Sequence, residues 1–283
     1  ERRFAVREQL AGVVRSGLGG DLRIADVTRL QGGSKKGVYR LSFDTGSSVI
    51  AYIWDATENY WPAHQADDLE DRASPFSPAS GLDLFEAAHR RLGTLEIRTP
   101  QIYWTDAGKE HYPADVALVE DVDGGTLETL LHHDSESAKS VLTRLAEALR
   151  TMWRQRGASF GKVAFVDHGG ISEGRSCEQV VLDRALDDLA EAASRDTRLA
   201  AARNRLEDTA RELAAAVQPR AEYGLIHGEL GPDHVLVDGC GHPVLIDIEG
   251  LMYFDVEWEH AFLRIRFGEH HRHLHTTGLD GNA

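Results

Sequence analysis

The chain of 283 residues carries 46 Asp and Glu against 31 Lys and Arg, a formal net charge of −15. A balance this acidic argues against nucleic acid as a partner, because a phosphate backbone needs a basic face, and no apolar run approaches the roughly 18 residues of a membrane span. Hydrophobic content of 42% is that of an ordinary globular protein, and the length suffices for two lobes around a large core.

The acidity either draws in a cationic ligand or serves solubility alone. Cys177 and Cys240 are too few for a disulfide framework, so a reduced, cytoplasmic setting is expected. Residues 22–54 read as three strands: Val38-Tyr39-Arg40-Leu41-Ser42-Phe43 alternates, Asp44-Thr45-Gly46 turns, and Val49-Ile50-Ala51-Tyr52-Ile53-Trp54 continues the sheet. Between the first two strands lie Gln31, Gly32, Gly33, Ser34, Lys35, Lys36 and Gly37, a loop whose free backbone N–H groups could cover phosphates. Read alone it is also a plain hairpin connection, and it is not a P-loop, because Val38 follows where Lys-Ser or Lys-Thr is required.

Residues 55–80, with Pro62, Pro75 and Pro78 among acids and serines, are expected to form a loop or insertion. A helix is predicted over 81–93 with Leu82, Phe85, Ala88 and Leu92 on one face. Strands follow near Ile102-Tyr103-Trp104 and Val116-Ala117-Leu118-Val119, then a turn at Asp123-Gly124-Gly125 leads into a helix at Thr126. From 135 to 218 the period is helical, and the stripes Val141, Leu145, Leu149, Met152 and Leu199, Ala202, Leu206, Leu213 are read as core faces.

Two short apolar runs, Val235-Leu236-Val237 and Val244-Leu245-Ile246, flank a Gly-rich turn and read as a buried hairpin. Polar side chains then gather at its rim: His227, Glu229, Asp233 and His234 from one end, Asp247 and Glu249 from the other. Such a set can hold a hard divalent cation beside a hydroxyl nucleophile. A last helix begins at Asp255 and carries Phe262 and Ile265, and the cluster from Glu269 to His275 matches no zinc spacing and reads as a solvated helix end.

His227-Gly228-Glu229, four residues, His234, and a strand ending in Ile246-Asp247 resemble the catalytic core of the aminoglycoside phosphotransferase family of small-molecule kinases. That family's pattern is His-Gly-Asp, four residues, Asn, then a strand ending in Ile-Asp. The resemblance extends over residues 22–267. It implies an α+β, protein-kinase-like two-lobe fold, with a β-rich N-terminal nucleotide-binding lobe (1–120) and a mainly helical C-terminal lobe for catalysis and substrate (121–283). The chain opens on Glu1 and the family continues in further helices past residue 283, so both ends are expected to be incomplete.

The implied reaction moves the γ-phosphoryl group of ATP or GTP, with Mg²⁺, to a hydroxyl of a small, cationic, antibiotic-like molecule. By the resemblance Glu229 is general base with His227 beside it, Asp247 is the main Mg²⁺ ligand, and His234 or Asp233 is secondary. Gly32, Gly33, Ser34, Lys35, Lys36 and Gly37 cover the phosphates, while Glu120 and Val122 flank the hinge whose backbone would meet the nucleobase. Glu229 and His234 depart from the family's Asp and Asn; both keep the chemistry and change its reach. His234 serves the metal less well than an oxygen donor and could instead bond a phosphate or the nearby backbone.

The third strand lacks the phosphate-binding lysine of protein kinases. Either Lys35 or Lys36 reaches the phosphates from the loop, or nucleotide affinity is weak. Glu86 is either that lysine's partner or a surface carboxylate. Asp255 and Glu259 either brace the catalytic loop or are acids favoured in a helix's first turn. These departures leave open a second class, a kinase-like module that binds nucleotide or metabolite without turnover.

Overall fold

Alternation along residues 22–54 produces the three expected strands, β1 (Ile24–Arg29), β2 (Gly37–Phe43) and β3 (Ser48–Trp54). The computed structural model describes residues 4–30, 35–58, 74–172 and 176–274; Gln31, Gly32, Gly33, Ser34 and His275 lie outside them. After α2 (Leu82–Thr94) the chain adds β4 (Ile102–Asp106) and β5 (Asp115–Glu120), giving an antiparallel sheet in the order β1-β2-β3-β5-β4. β3 is central and covered on both faces, so it reads as one unbroken apolar run. Ile50 and Tyr52 face α2, whereas Ala51 and Ile53 face an N-terminal helix, α1 (Arg7–Leu18). The sequence reading passed over α1, although Leu10, Val13 and Val14 recur at helical spacing and all are buried.

Thr126 caps α3 (Leu127–His133) by accepting the Thr129 N–H at 3.2 Å, and Asp134 caps α4 (Ser135–Arg154) by accepting that of Ser137 at 3.1 Å. The α4 stripe Val141, Leu145, Leu149 and Met152 is buried as expected and shares one core with Ile50, Phe85, Ala117 and Leu245. Short strands β6 (Arg156–Gly157) and β7 (Gly161–Lys162), then α5 (Val163–Asp167), lead to a helical pair, α6 (Cys177–Arg195) and α7 (Thr197–Ala216).

Here the sequence reading needs correction. No residue of α7 is fully buried, Leu199, Ala202 and Leu206 are half-buried, and Leu213 is 66% exposed. The stripe meets α6 and not the molecular core, because one partner helix covers only part of a helix surface.

β8 (Tyr223–Ile226), the hairpin β9 (Val235–Val237) and β10 (Pro243–Leu245), and β11 (Met252–Phe254) complete the strands. β8 and β11 lie at the centre of a small sheet ordered β6-β8-β11-β7. The final helix α8 (Val256–Phe267) turns Val256, Glu259, Leu263 and Phe267 inward; Ile265, expected on its apolar face, is 76% exposed. A strand-rich first half followed by a helical second half is the order the resemblance implies. Among the described residues no helix is long and apolar enough to cross a membrane, and Cys177 and Cys240 are both free thiols.

Candidate active site

The hairpin sets the site. Its two strands pair Val235 with Leu245 and Val237 with Pro243, and the Ile246 N–H donates to the His234 carbonyl at 3.1 Å, holding the two rims of the hairpin together. Past Ile246 the backbone turns left-handed at Asp247 (φ 56°, ψ 44°), a conformation that costs a non-glycine residue roughly 1–3 kcal/mol. Buried Ile248 and Glu249 anchor the tight turn that follows. The Asp247 side chain is thereby left half-exposed beside Lys36 while the chain reverses towards β11.

Lys36, at the end of the Gly-rich loop, meets this turn. It is 6% exposed, and its ammonium donates to Asp247 Oδ1 at 3.1 Å and to Glu249 Oε1. Trp54 Nε1 also donates to Glu249 Oε1 at 3.3 Å, and the Tyr52 ring centroid lies 4.9 Å from the Lys36 nitrogen. Burial alone would lower the lysine's pKa, but Glu249 and Asp247 outweigh it and push the group above its ordinary value. Burial would likewise raise Asp247, yet Lys36 and His234 hold its carboxyl down to about 2. Of the two lysines left open by the sequence, Lys36 is the one brought to Asp247; Lys35 is fixed through its carbonyl, which accepts the Ser80 hydroxyl at 3.0 Å.

Tyr52 and Trp54 of β3 pack edge and tilted against Phe85 of α2. An aromatic trio thus occupies the face where a strand lysine and a helix glutamate would pair, and Glu86 makes no ion pair among the described residues.

Glu229 sits at the exposed mouth of the loop after β8. His234 Nδ1 donates to the Glu229 carbonyl at 3.0 Å, and its Nε2 lies 3.8 Å from Asp247 Oδ2 and 3.6 Å from Asp233 Oδ2. Asp233 is otherwise engaged: Arg266 of α8 donates to its Oδ1 at 2.6 Å.

His227 lies behind the loop, 1% exposed. Its Nε2 donates to the Ile246 carbonyl at 3.0 Å, Nδ1 has no partner among the described residues, and burial lowers its pKa to about 4. It is a neutral brace between the loop and the strand before Asp247, away from the mouth. Gly228 next to it has φ +93°, and a Cβ there would meet the Met252 methyl at 3.2 Å.

Glu259 does brace the loop. Fully buried on α8, it accepts the backbone N–H of His227 at 2.5 Å and of Gly228 at 3.3 Å, and burial raises its pKa to about 7. Asp255 stands beside Arg220 at 3.6 Å, and among the described residues its side chain makes no hydrogen bond to the loop.

At the expected hinge the Glu120 side chain is already used, accepting Arg98 at 2.7 and 3.1 Å and the Gln101 N–H at 3.1 Å, while Val122 is buried. Any contact with a nucleobase there belongs to the backbone. Arg98 also donates to Asp238 at 3.3 Å, tying the hinge to the β9–β10 turn. In that turn Asp238, Cys240 and His242 bring three donor atoms within 4.8 Å of one another. The Asp238 carboxylate there accepts the N–H of Cys240 at 2.9 Å and of His242 at 2.8 Å, which accounts for the cluster as a locked turn.

Sequence reasoning placed Glu249 at the rim but missed how closely Trp54 and Tyr52 bear on the site. The Asp-Ile-Glu spacing was visible for the first, but nothing local in β3 marks Tyr52 or Trp54 as cleft residues.

The sequence profile of the phosphotransferase enzyme family matches residues 27–272. No curated protein sequence is significantly similar to the chain. Among solved structures, a thermostable mutant of aminoglycoside phosphotransferase APH(4)-Ia in ternary complex with ADP and hygromycin B superposes with a TM-score of 0.60 at 17% identity, over 92% of this chain and 76% of that one. The GDP and kanamycin complex of APH(2")-IIia gives 0.59 at 17% identity over 92% and 79%, and macrolide 2'-phosphotransferase type I gives 0.54 at 16% over 94% and 79%. At such identities the likeness is one of fold.

Proposed function

We propose, on the premise that the chain belongs to the phosphotransferase enzyme family, that it transfers the γ-phosphoryl group of a nucleoside triphosphate to a hydroxyl of a small cationic molecule. The observation that carries this reading is the convergence of Asp247 and Glu249 on one cation, Lys36, beside a loop that presents Glu229. The division into a nucleotide-binding lobe (1–120) and a catalytic lobe (121–283) is part of the proposal.

The donor set suits Mg²⁺. Two carboxylates converge, and Glu249 Oε2 is buried with no hydrogen-bond partner among the described residues. Asp247 and Glu249 would hold the ion, with His234 Nε2 a weaker donor; Asp233, taken by Arg266, is the least available. When bound, such an ion offsets charge on the triphosphate.

Glu229 orients the acceptor hydroxyl and takes its proton as the oxygen bonds to the γ-phosphorus. The bond from that phosphorus to the bridging oxygen breaks, and the nucleoside diphosphate leaves. His227 and Glu259 hold the loop carrying Glu229 without touching the reacting atoms. The formal charge of −15 favours an amine-bearing acceptor, and polyhydroxylated amines such as the hygromycin B and kanamycin bound in the structures above are the acceptors to try first.

The test is ³¹P NMR of the protein with ATP or GTP, Mg²⁺ and a panel of hydroxylated amines. Phosphate ester and nucleoside diphosphate should form in equal amounts with at least one acceptor. Nucleotide binding with no ester across the panel would instead identify a non-catalytic module.

A further inference from the structure

Lys36 occupies the place a cation bridging Asp247 and Glu249 would take. Its nitrogen is 3.1 Å from one carboxylate and hydrogen-bonded to the other, with Tyr52 and Trp54 closing the sides. Among the described residues no other Lys or Arg reaches either carboxylate. One positive charge therefore faces two negative ones, buried Glu249 and half-exposed Asp247, and among the described residues Glu249 Oε2 is left without a donor. The bay is short of positive charge, yet the ammonium blocks the shared position.

We propose that Lys36 is a resident counter-cation that competes with a divalent metal for Asp247 and Glu249, and that it moves from the carboxylates to the nucleotide's phosphates when metal and nucleotide bind. This rests on the reading of the site given above. It assigns one lysine two successive partners. In the free protein it keeps two carboxylates from repelling each other across an empty bay; in the complex it supplies the phosphate contact that no residue of β3 provides. The side chain does not need to travel far, because its flexible four-carbon stem rises from the end of the loop next to the bay. No bond is made or broken, and the exchange swaps one ion pair for another.

Competition and phosphate binding have opposite signatures in a single variant. Mn²⁺ binding, read by the loss of free-ion EPR signal, should be at least tenfold tighter in Lys36→Met than in the wild type when no nucleotide is present. ADP binding in the presence of Mn²⁺ should be at least tenfold weaker. Unchanged or weaker Mn²⁺ binding in the variant overturns the proposal.

Removing one partner from a buried ion pair is strongly destabilising, so a second measurement uses the wild-type chain. Acylation of Lys36, followed by peptide mass spectrometry, should be slow in the free protein, several-fold faster with Mn²⁺ alone, and slow again with Mn²⁺ and ADP. A Lys36 labelling rate indifferent to Mn²⁺ overturns the proposal. Asp247→Asn separates the two levels of inference. If it leaves Mn²⁺ binding intact, the reading of the site fails and the lysine exchange with it; if it abolishes binding while Lys36→Met brings no tightening, the exchange alone fails.

Discussion

Glutamate at position 229 reaches one methylene further than aspartate, and no hydrogen bond or ion pair among the described residues fixes its side chain; only its carbonyl is held, by His234. In the proposed role of proton acceptor, a side chain so placed would act on the rate and not on nucleotide affinity. Glu229→Gln should therefore lower kcat by about 10²–10⁴-fold with the KM for nucleotide unchanged; equal turnover in the two proteins would remove Glu229 from the chemistry.

Behind it, Glu259 and His227 titrate in opposite senses. Glu259, raised from 4.5 to about 7 when folded, contributes stability that is present at low pH and lost as pH rises through about 7. His227, lowered from 6.5 to about 4, contributes stability that is present above pH 6.5 and lost as pH falls towards 4. Between pH 4.5 and 6.5 the two slopes, each at most about 1.4 kcal/mol per pH unit, oppose one another. Glu259→Gln should leave the histidine slope exposed, so urea denaturation at pH 4.5, 5.5 and 6.5 should show stability rising more steeply in the variant. Parallel profiles would contradict the assignment.

At the scale of elements, what the sequence disclosed depended on how many faces each element buries. Leu82, Phe85, Ala88 and Leu92 mark one face of α2, and all are buried where the spacing places them. The equally regular stripe on α7 misleads, because periodicity reports an apolar face without saying how much structure will cover it. α6 and α7 lean mainly on one another, and hydrogen exchange should show α7 opening well before α4, whose face is wholly in the core. Equal protection of the two helices would contradict this.

The turn from β5 into α3 packs against the hairpin through Gly124, which has φ +116° and whose Cβ would fall 2.1 Å from the Val237 carbonyl oxygen. The turn was legible as Asp-Gly-Gly; the reason for its first glycine is a contact more than 100 residues away in sequence. Gly124→Ala should destabilise the protein by about 2 kcal/mol or more, measured by thermal melting.

The whole molecule joins a sheet built by local alternation to a helical half through one shared core, to which Tyr52, Phe85, Leu145 and Leu245 all belong. The strands of the first half, the helical half and the hairpin of the site could be read from the chain, since each has a period or a turn signal of its own. The aromatic trio of Tyr52, Trp54 and Phe85 could not, because it exists only once β3 and α2 are packed. The same holds for Lys36, whose partners Asp247 and Glu249 lie over 200 residues further on. The fold makes one cleft from distant segments, and the claim that matters most is that Asp247 anchors a metal-bound nucleotide there.

Calorimetric titration of a non-hydrolysable triphosphate analogue with Mg²⁺ into the wild type and into Asp247→Asn tests that claim, since asparagine tolerates the left-handed backbone at this position. The wild type should bind and the variant should bind at least tenfold more weakly while melting at a similar temperature. Equal affinity in both proteins would contradict the account.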